Sequence, residues 1–136
     1  MLRICARCGT GNRVPSRHLA DAGKCGACRE PLPPQQVPLD VVEVKKLDRL
    51  LAQVRVPVMV ELQASGGAQR LATTAAKLAG RALVVRVPAA VAFELAARHD
   101  LESQPRFLWF FRGRLQRQQS ELEDPRVLEG WAIGSA

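Results

Sequence analysis

Residues 105–113, PRFLWFFRG, contain an apolar run from Phe107 to Phe111 between a proline and an Arg-Gly turn. A strand that is apolar on both faces belongs in the centre of a sheet covered by helices on both sides. The polar segment 114–119 follows the turn, so we expect an antiparallel strand at the edge of that sheet. This stretch therefore predicts an α/β fold.

The sequence on either side of this stretch supplies the other elements of such a fold. Apolar spacing and alanine-rich composition predict helices over 43–53, 68–79 and 89–98, with Gly80 as a cap and Phe93 in the core. Strands are predicted over 58–62 and 82–87, and Asp124-Pro125 predicts the start of a last helix. The predicted order is βαβαβαββα, an α/β sandwich of about 100 residues.

All four cysteines lie near the start of the chain, as Cys5-x2-Cys8 and Cys25-x2-Cys28. This spacing is typical of a four-thiolate zinc site, because each turn directs two sulfurs at one point. Gly9 and Gly26 suit the backbone that such turns need. The alternative is two disulfides, which a reducing cytosol disfavours. We expect one structural Zn²⁺ and a ribbon that unfolds without it.

Proline content divides the chain into three parts. The segment 30–38 holds four prolines in nine residues, which predicts an extended and rather stiff spacer. We therefore predict a zinc ribbon over residues 1–30, a linker over 31–38 and an α/β domain over 39–136.

Composition limits the classes of protein that this chain can represent. Its 136 residues are 47% hydrophobic, which excludes overall disorder and leaves no room for a large multidomain enzyme. The apolar runs are far shorter than the roughly 20 residues that cross a bilayer. No apolar signal core follows Met1, so we expect a cytoplasmic protein without membrane contact. The net charge of +7 keeps nucleic acid open as a partner, although no aromatic residue precedes Phe93 for base stacking.

The chain resembles the zinc-ribbon thioredoxins, often called thioredoxin 2, over nearly its whole length. The motifs that carry the resemblance are Cys5-x2-Cys8, Asn12-Arg13-Val14-Pro15, Lys24-Cys25-Gly26-Ala27-Cys28, Val58–Leu62, and Ser103-Gln104-Pro105-Arg106 through Gly113. The resemblance implies a thioredoxin-like fold, a central mixed sheet flanked by helices, behind an N-terminal zinc ribbon. It also implies that Pro105 is cis and lines a substrate groove.

The chain departs from this family at the redox motif. The family carries Trp-Cys-Gly-Pro-Cys at the start of the second helix, whereas this chain has Gly67, Ala68, Gln69 and Arg70 in place of Cys-Gly-Pro-Cys. The resemblance assigns the groove to Gln63, Gly66, Arg70, Pro105, Arg106 and Glu121. Because neither Gly67 nor Arg70 carries a thiol, disulfide reductase activity is not expected at this site.

A charged pair beneath the groove is a further expectation from the resemblance. The family buries an aspartate there, near a lysine on the neighbouring strand, and the corresponding residues of this chain are Glu61 and Arg86. A buried acid is costly without a partner, so we predict an ion pair that Arg70 could join. The alternative is that Glu61 faces solvent at a strand end.

Three hypotheses for function follow from the sequence. The first is a non-catalytic thioredoxin-like protein that binds polypeptide or a partner protein, with Arg70, Arg106 and Glu121 selecting charged segments. The second is a redox-responsive protein of thiol homeostasis that acts through the zinc-bound cysteines. The third is nucleic-acid binding by the basic ribbon. The sequence predicts no particular partner and no oligomeric state.

Overall fold

The N-terminal part of the chain consists of short paired strands. A computed structural model describes residues 1–62, 68–101 and 105–135. Two hairpins and a single 3₁₀ turn make up this part: β1 Leu2–Ile4, β2 Gly11–Arg13, the turn Ser16–His18, β3 Gly23–Lys24 and β4 Pro31–Leu32. Strand β1 pairs with β2 and β3 pairs with β4, both antiparallel.

The remaining chain forms a five-stranded sheet with four helices. Its elements are β5 Leu39–Asp40, α1 Val44–Gln53, β6 Val58–Leu62, α2 Ala68–Lys77, β7 Leu83–Val87, α3 Ala89–Arg98, β8 Phe107–Phe111, β9 Arg114–Gln119 and α4 Pro125–Ser135. The strand order is β5-β7-β6-β8-β9, in which β5, β7 and β6 are parallel and β8 and β9 are antiparallel. The predicted α/β class and element order are confirmed, with β9 at the edge.

Each face of the sheet has its own apolar core. Side chains of a strand alternate between the two faces, so Val58 and Val60 of β6 pack with helices α1 and α3, whereas Met59 packs with α2 and α4. Residues Phe107 and Trp109 of β8 belong to the second core. This alternation also places Glu61, two residues after Met59, on the α2 and α4 face.

Local signals position the helices close to where the sequence predicts them. The Asp124 carboxylate accepts a hydrogen bond from the Arg126 N–H at 2.8 Å, as an N-cap residue does. Gly80 has a φ of +84°, the left-handed conformation that ends helices after α2. Phe93, expected in the core, is instead 78% exposed, because Val91, Ala92 and Leu95 form the buried face of α3.

The ribbon and the α/β domain share one core through Leu19. This side chain is 1% exposed and packs with Val41 and Leu47 of the α/β domain. The Leu19 carbonyl accepts hydrogen bonds from the Arg3 guanidinium and from the Gln35 N–H, both at 2.9 Å. The two parts are therefore in contact rather than held apart by a spacer.

The ribbon also extends into the segment predicted as a linker. Strand β4 comprises Pro31–Leu32, the first two residues of the predicted linker 31–38. Leu32 is 4% exposed and packs with Cys5 and Cys25. Leu32 of the predicted linker therefore packs with the ribbon, and the predicted boundary at residue 30 stays a prediction.

No helix in the three described ranges has both the length and the apolar character needed to cross a membrane.

Candidate metal centre and groove

The four cysteines come together as predicted by their spacing. Their Sγ atoms all lie within 4.8 Å of one another, and Cys5 is 3.7 Å from Cys28 while Cys8 is 3.6 Å from Cys25. Four sulfurs around a zinc ion, each at about 2.3 Å, are about 3.8 Å apart. A disulfide would require about 2.05 Å. The arrangement therefore fits a tetrahedral metal ion of the size of Zn²⁺.

The two cysteine turns have the same backbone structure. In the first, the Gly9 N–H donates to the Cys5 carbonyl at 2.9 Å, and in the second the Arg29 N–H donates to the Cys25 carbonyl at 2.9 Å. The residue after each turn has a left-handed φ, +77° at Gly9 and +65° at Arg29. Gly26, the second glycine predicted for this role, has no positive φ. Arg29 takes that conformation despite its side chain.

Asn12 connects the two turns, and the sequence analysis did not assign it to the site. Its side-chain Nδ2 lies 3.6 Å from the Cys25 Sγ and donates to the Thr10 carbonyl at 3.2 Å. Its Oδ1 accepts a hydrogen bond from the Gly26 N–H at 2.9 Å. Groups that orient metal ligands in this way tune metal affinity. The signal in the sequence was the amide side chain of Asn12, which lies on the strand that follows the first cysteine turn.

The surroundings of the thiols shift their pKa values in opposite directions. The backbone amides of Cys28 and Ala27, assisted by Asn12, lower the pKa of Cys25 to about 6. The Glu30 amide lowers the pKa of Cys28, but burial and the other thiols outweigh it and raise this pKa to about 12. A metal must displace the remaining protons, so its affinity falls as the pH falls.

We expect the substitution Asn12→Leu to weaken zinc binding about 10- to 100-fold. The leucine keeps a similar volume but provides neither the hydrogen bond to Cys25 nor the acceptor for Gly26. Competition with a chromophoric chelator measures the affinity, and Arg13→Gln, an exposed neighbour in β2, is the matched control. Equal affinity of the Asn12→Leu variant and the control would show that Asn12 does not support the site.

The structure brings the predicted charged pair together. Glu61 of β6 lies beside Arg86 of β7 in the parallel ladder, and the Arg86 Nε donates to the Glu61 Oε1 at 3.1 Å. Glu61 is 2% exposed, so the alternative that it faces solvent is wrong. Arg70 is exposed and donates to the Leu122 carbonyl at 3.4 Å, so in the described structure it does not join the pair.

The groove predicted from the resemblance falls partly within the described residues. Gln63, Gly66 and Gly67 lie outside them, as does Gln104, so the predicted cis bond before Pro105 stays a prediction. The other positions of the altered motif, Ala68, Gln69 and Arg70, are exposed in the first turn of α2. Arg106 is exposed and Pro105 is buried.

Two of the predicted groove residues contact one short segment, 119–122, and a third, Glu121, belongs to it. Arg70 donates to Leu122, and the Arg106 N–H donates to the Gln119 carbonyl at 2.8 Å. Glu121 lies between these two contact points and lines a cleft of about 410 Å³ together with Trp131. Arg70 through its side chain and Arg106 through its backbone therefore contact the segment that contains Glu121, but neither arginine lines the cleft.

Gln119 is a further polar residue of this region that sequence reasoning missed. It is 7% exposed, and neither its Oε1 nor its Nε2 has a hydrogen-bond partner in the described structure. An unpaired buried amide costs free energy. The run of polar residues 116–119 indicated a solvated strand. Gln119 pairs with Phe107 across the ladder, and the sequence pattern gives no sign of this pairing.

These features define a thioredoxin-like domain that carries a four-cysteine ribbon, and comparison with known proteins supports both parts. Solved structures share the fold: a mutant thioredoxin from Halobacterium salinarum NRC-1 has a TM-score of 0.59 and 21% identity, covering 74% of this chain and 91% of its own. A mutant thioredoxin from Entamoeba histolytica has a TM-score of 0.54 and 18% identity, covering 74% and 100%.

The ribbon has a more specific counterpart. Residues 4–30 match the family model described as thioredoxin 2, N-terminal. Thioredoxin C-3 of Corynebacterium nephridii is 33% identical over 66 residues, which cover 47% of this chain. The match spans less than half of that relative, 43% of its length. The resemblance to the zinc-ribbon thioredoxins is thus confirmed in the ribbon and in the fold.

Proposed function

We propose that this protein is a non-catalytic thioredoxin-like protein that binds an extended segment of a partner polypeptide in the groove beside Pro105. The observation that carries the proposal is that Arg70 and Arg106 both donate hydrogen bonds to the segment 119–122, which contains Glu121. A thioredoxin-like groove holds extended chains by backbone hydrogen bonds, and charged side chains at its border add selectivity.

The absence of thiols from the groove supports binding rather than disulfide exchange. Exchange requires an attacking thiolate and a second thiol that resolves the mixed disulfide. The sequence has glycine at position 67 and arginine at position 70, and all four of its cysteines are in the ribbon. A disulfide reduction assay with insulin tests this part of the proposal, and turnover with the ribbon thiols occupied by metal would contradict it.

The ribbon supports the domain by holding a zinc ion. Cys5, Cys8, Cys25 and Cys28 would bind it as thiolates, and the ion would supply cross-linking of the two turns rather than reactivity. Leu19 then transmits this support to the core of the α/β domain. A cytoplasmic location is part of the proposal, because a reducing compartment keeps the four thiols available for metal.

We expect the substitution Arg106→Glu to reverse the charge preference of the groove. Peptide arrays of extended 12-residue sequences, varied only in charge, should show stronger binding of acidic peptides by the parent protein. The variant should bind an acidic peptide about tenfold more weakly, since a like charge replaces an attractive one. Arg55→Glu, an exposed charge reversal far from Arg106 in sequence, should change nothing. An unchanged preference in Arg106→Glu excludes this residue from the groove.

A redox role of the ribbon is the second candidate, and the exposure of its thiols favours it. Cys8 is exposed and Cys28 is half-buried, so oxidants can reach them. Oxidation would form disulfides, with the oxidant reduced and the metal released. Mild peroxide should then release zinc, and a thiol reductant should restore binding. Retention of zinc under peroxide would exclude this role.

A further inference from the structure

Strand β1 has an unpaired edge. Met1 and Val14 exchange both backbone hydrogen bonds, and the Cys5 N–H donates to the Thr10 carbonyl at 2.9 Å. Because pairing alternates along an antiparallel ladder, the backbone groups of Arg3 face β2 while those of Leu2 and Ile4 face away from it. Two N–H and two C=O groups on this edge therefore have no backbone partner among the described residues.

The side chains of the same two residues form an apolar strip. Leu2 is 65% exposed and Ile4 is 62% exposed. Both lie over Gly11, where an added Cβ would be 3.5 Å from the Ile4 Cδ1 and 3.6 Å from the Leu2 Cδ2. Contiguous exposed apolar surface rimmed by polar residues is characteristic of interaction sites.

A groove runs along the open edge of β1. It has a volume of about 770 Å³, and its other wall is the proline-containing segment 31–37. Val37, on that wall, is 60% exposed. Prolines lack an N–H, so this wall has few donors to pair with β1. The space beside β1 is therefore open to another extended chain.

Arg7 and Glu30, which line the groove, form an ion pair with each other, so the charge available to a partner lies on the neighbouring strand β2. Arg13 is exposed and lies directly across the ladder from Leu2, so both side chains are on one face. Arg13 has no acidic partner in the described structure. Residues 1–36 hold six basic and two acidic side chains. Four thiolates with one Zn²⁺ would add −2 and leave this part at about +2, so Arg13 beside Leu2 attracts a carboxylate of a bound strand.

We propose that β1 accepts a third strand from a partner polypeptide, an extended segment with alternating apolar residues and acidic ends. Its backbone would pair with Leu2 and Ile4, and its apolar side chains would contact Leu2, Ile4 and Val37. Its carboxylates would approach Arg13. Strand addition of this kind obtains affinity from main-chain hydrogen bonds and specificity from alternate side chains. This surface is separate from the groove beside Pro105.

The test uses the full chain loaded with zinc and a defined peptide, acetyl-Asp-Thr-Val-Thr-Val-Thr-Asp-amide. In ¹⁵N NMR titrations, we expect the amides of Leu2 and Ile4 to shift and to exchange more slowly with solvent. The same peptide methylated on both valine nitrogens should not bind, because it cannot donate hydrogen bonds to the edge. Equal binding of the methylated peptide, or no shift at Leu2 and Ile4, would overturn the proposal.

Variants separate this surface from other binding. Ile4→Thr should lower the affinity at least about tenfold, while Phe93→Ala, which removes the most exposed large apolar side chain of α3, should not. Arg13→Glu should transfer preference to a peptide with lysine ends, and Arg106→Glu should have no effect. If Leu2 and Ile4 shift with protein concentration alone, the occupant is a second copy and the proposal is wrong.

Discussion

Removal of the metal by a chelator is expected to unfold the ribbon and to destabilise the α/β domain by about 2–5 kcal/mol. In small zinc domains, metal binding contributes about 10–16 kcal/mol to the free energy of folding. The ribbon has no other contribution of comparable size. When the ribbon unfolds, Leu19 leaves the core that it shares with Val41 and Leu47. The loss should resemble that of a buried leucine truncated to alanine.

Urea unfolding of the metal-loaded and metal-free protein measures this coupling. Both tryptophans, Trp109 and Trp131, are in the α/β domain, so their fluorescence reports on that part alone. The metal-loaded Leu19→Ala variant is the matched control, since it should show a similar loss while it retains its metal. The same unfolding midpoint with and without metal would show that the two parts are energetically independent.

Substitution of Arg86 by leucine is expected to cost about 3–5 kcal/mol of the free energy of unfolding. The change leaves the Glu61 carboxylate without its partner in the core formed by Met59 and Phe107. Glu61 is 2% exposed, and leucine offers no hydrogen bond in place of the one from the guanidinium. Chemical unfolding of the variant and of the parent protein gives the difference.

A double-mutant cycle shows whether the cost comes from the unpaired charge. With Glu61→Leu added, the double variant should recover most of the loss, because two apolar residues replace the pair. Glu61→Gln is the control, since it retains a hydrogen-bond acceptor without the charge. A loss below about 1 kcal/mol in Arg86→Leu would mean that the pair contributes no more than an exposed salt bridge.

The parts of the structure that follow from local pattern could be predicted. The apolar run of β8, the cap at Asp124 and the cysteine spacing each depend on neighbouring residues, and all three are found where predicted. The pair of Glu61 and Arg86 could be predicted because the resemblance supplied the alignment of the two strands. Helix ends differ by one or two residues, since fraying depends on small energies.

The parts that depend on distant contacts could not be predicted. Leu19 lies in a polar stretch of the ribbon, and nothing nearby in sequence indicates that it packs with Leu47. Asn12 acts on Cys25, thirteen residues away. Phe93 is apolar and helical, but which face of α3 is buried depends on the sheet beneath it.

The shared core has a consequence for the evolution of this architecture. The Leu19 carbonyl accepts hydrogen bonds from both Arg3 and Gln35, which holds its side chain against α1. If the ribbon were transplanted onto another domain of this fold, its buried leucine would need a complementary apolar cavity in that domain. We therefore expect residues 19, 41 and 47 to covary among relatives, and chimaeras that exchange ribbons to need compensating substitutions in the recipient domain.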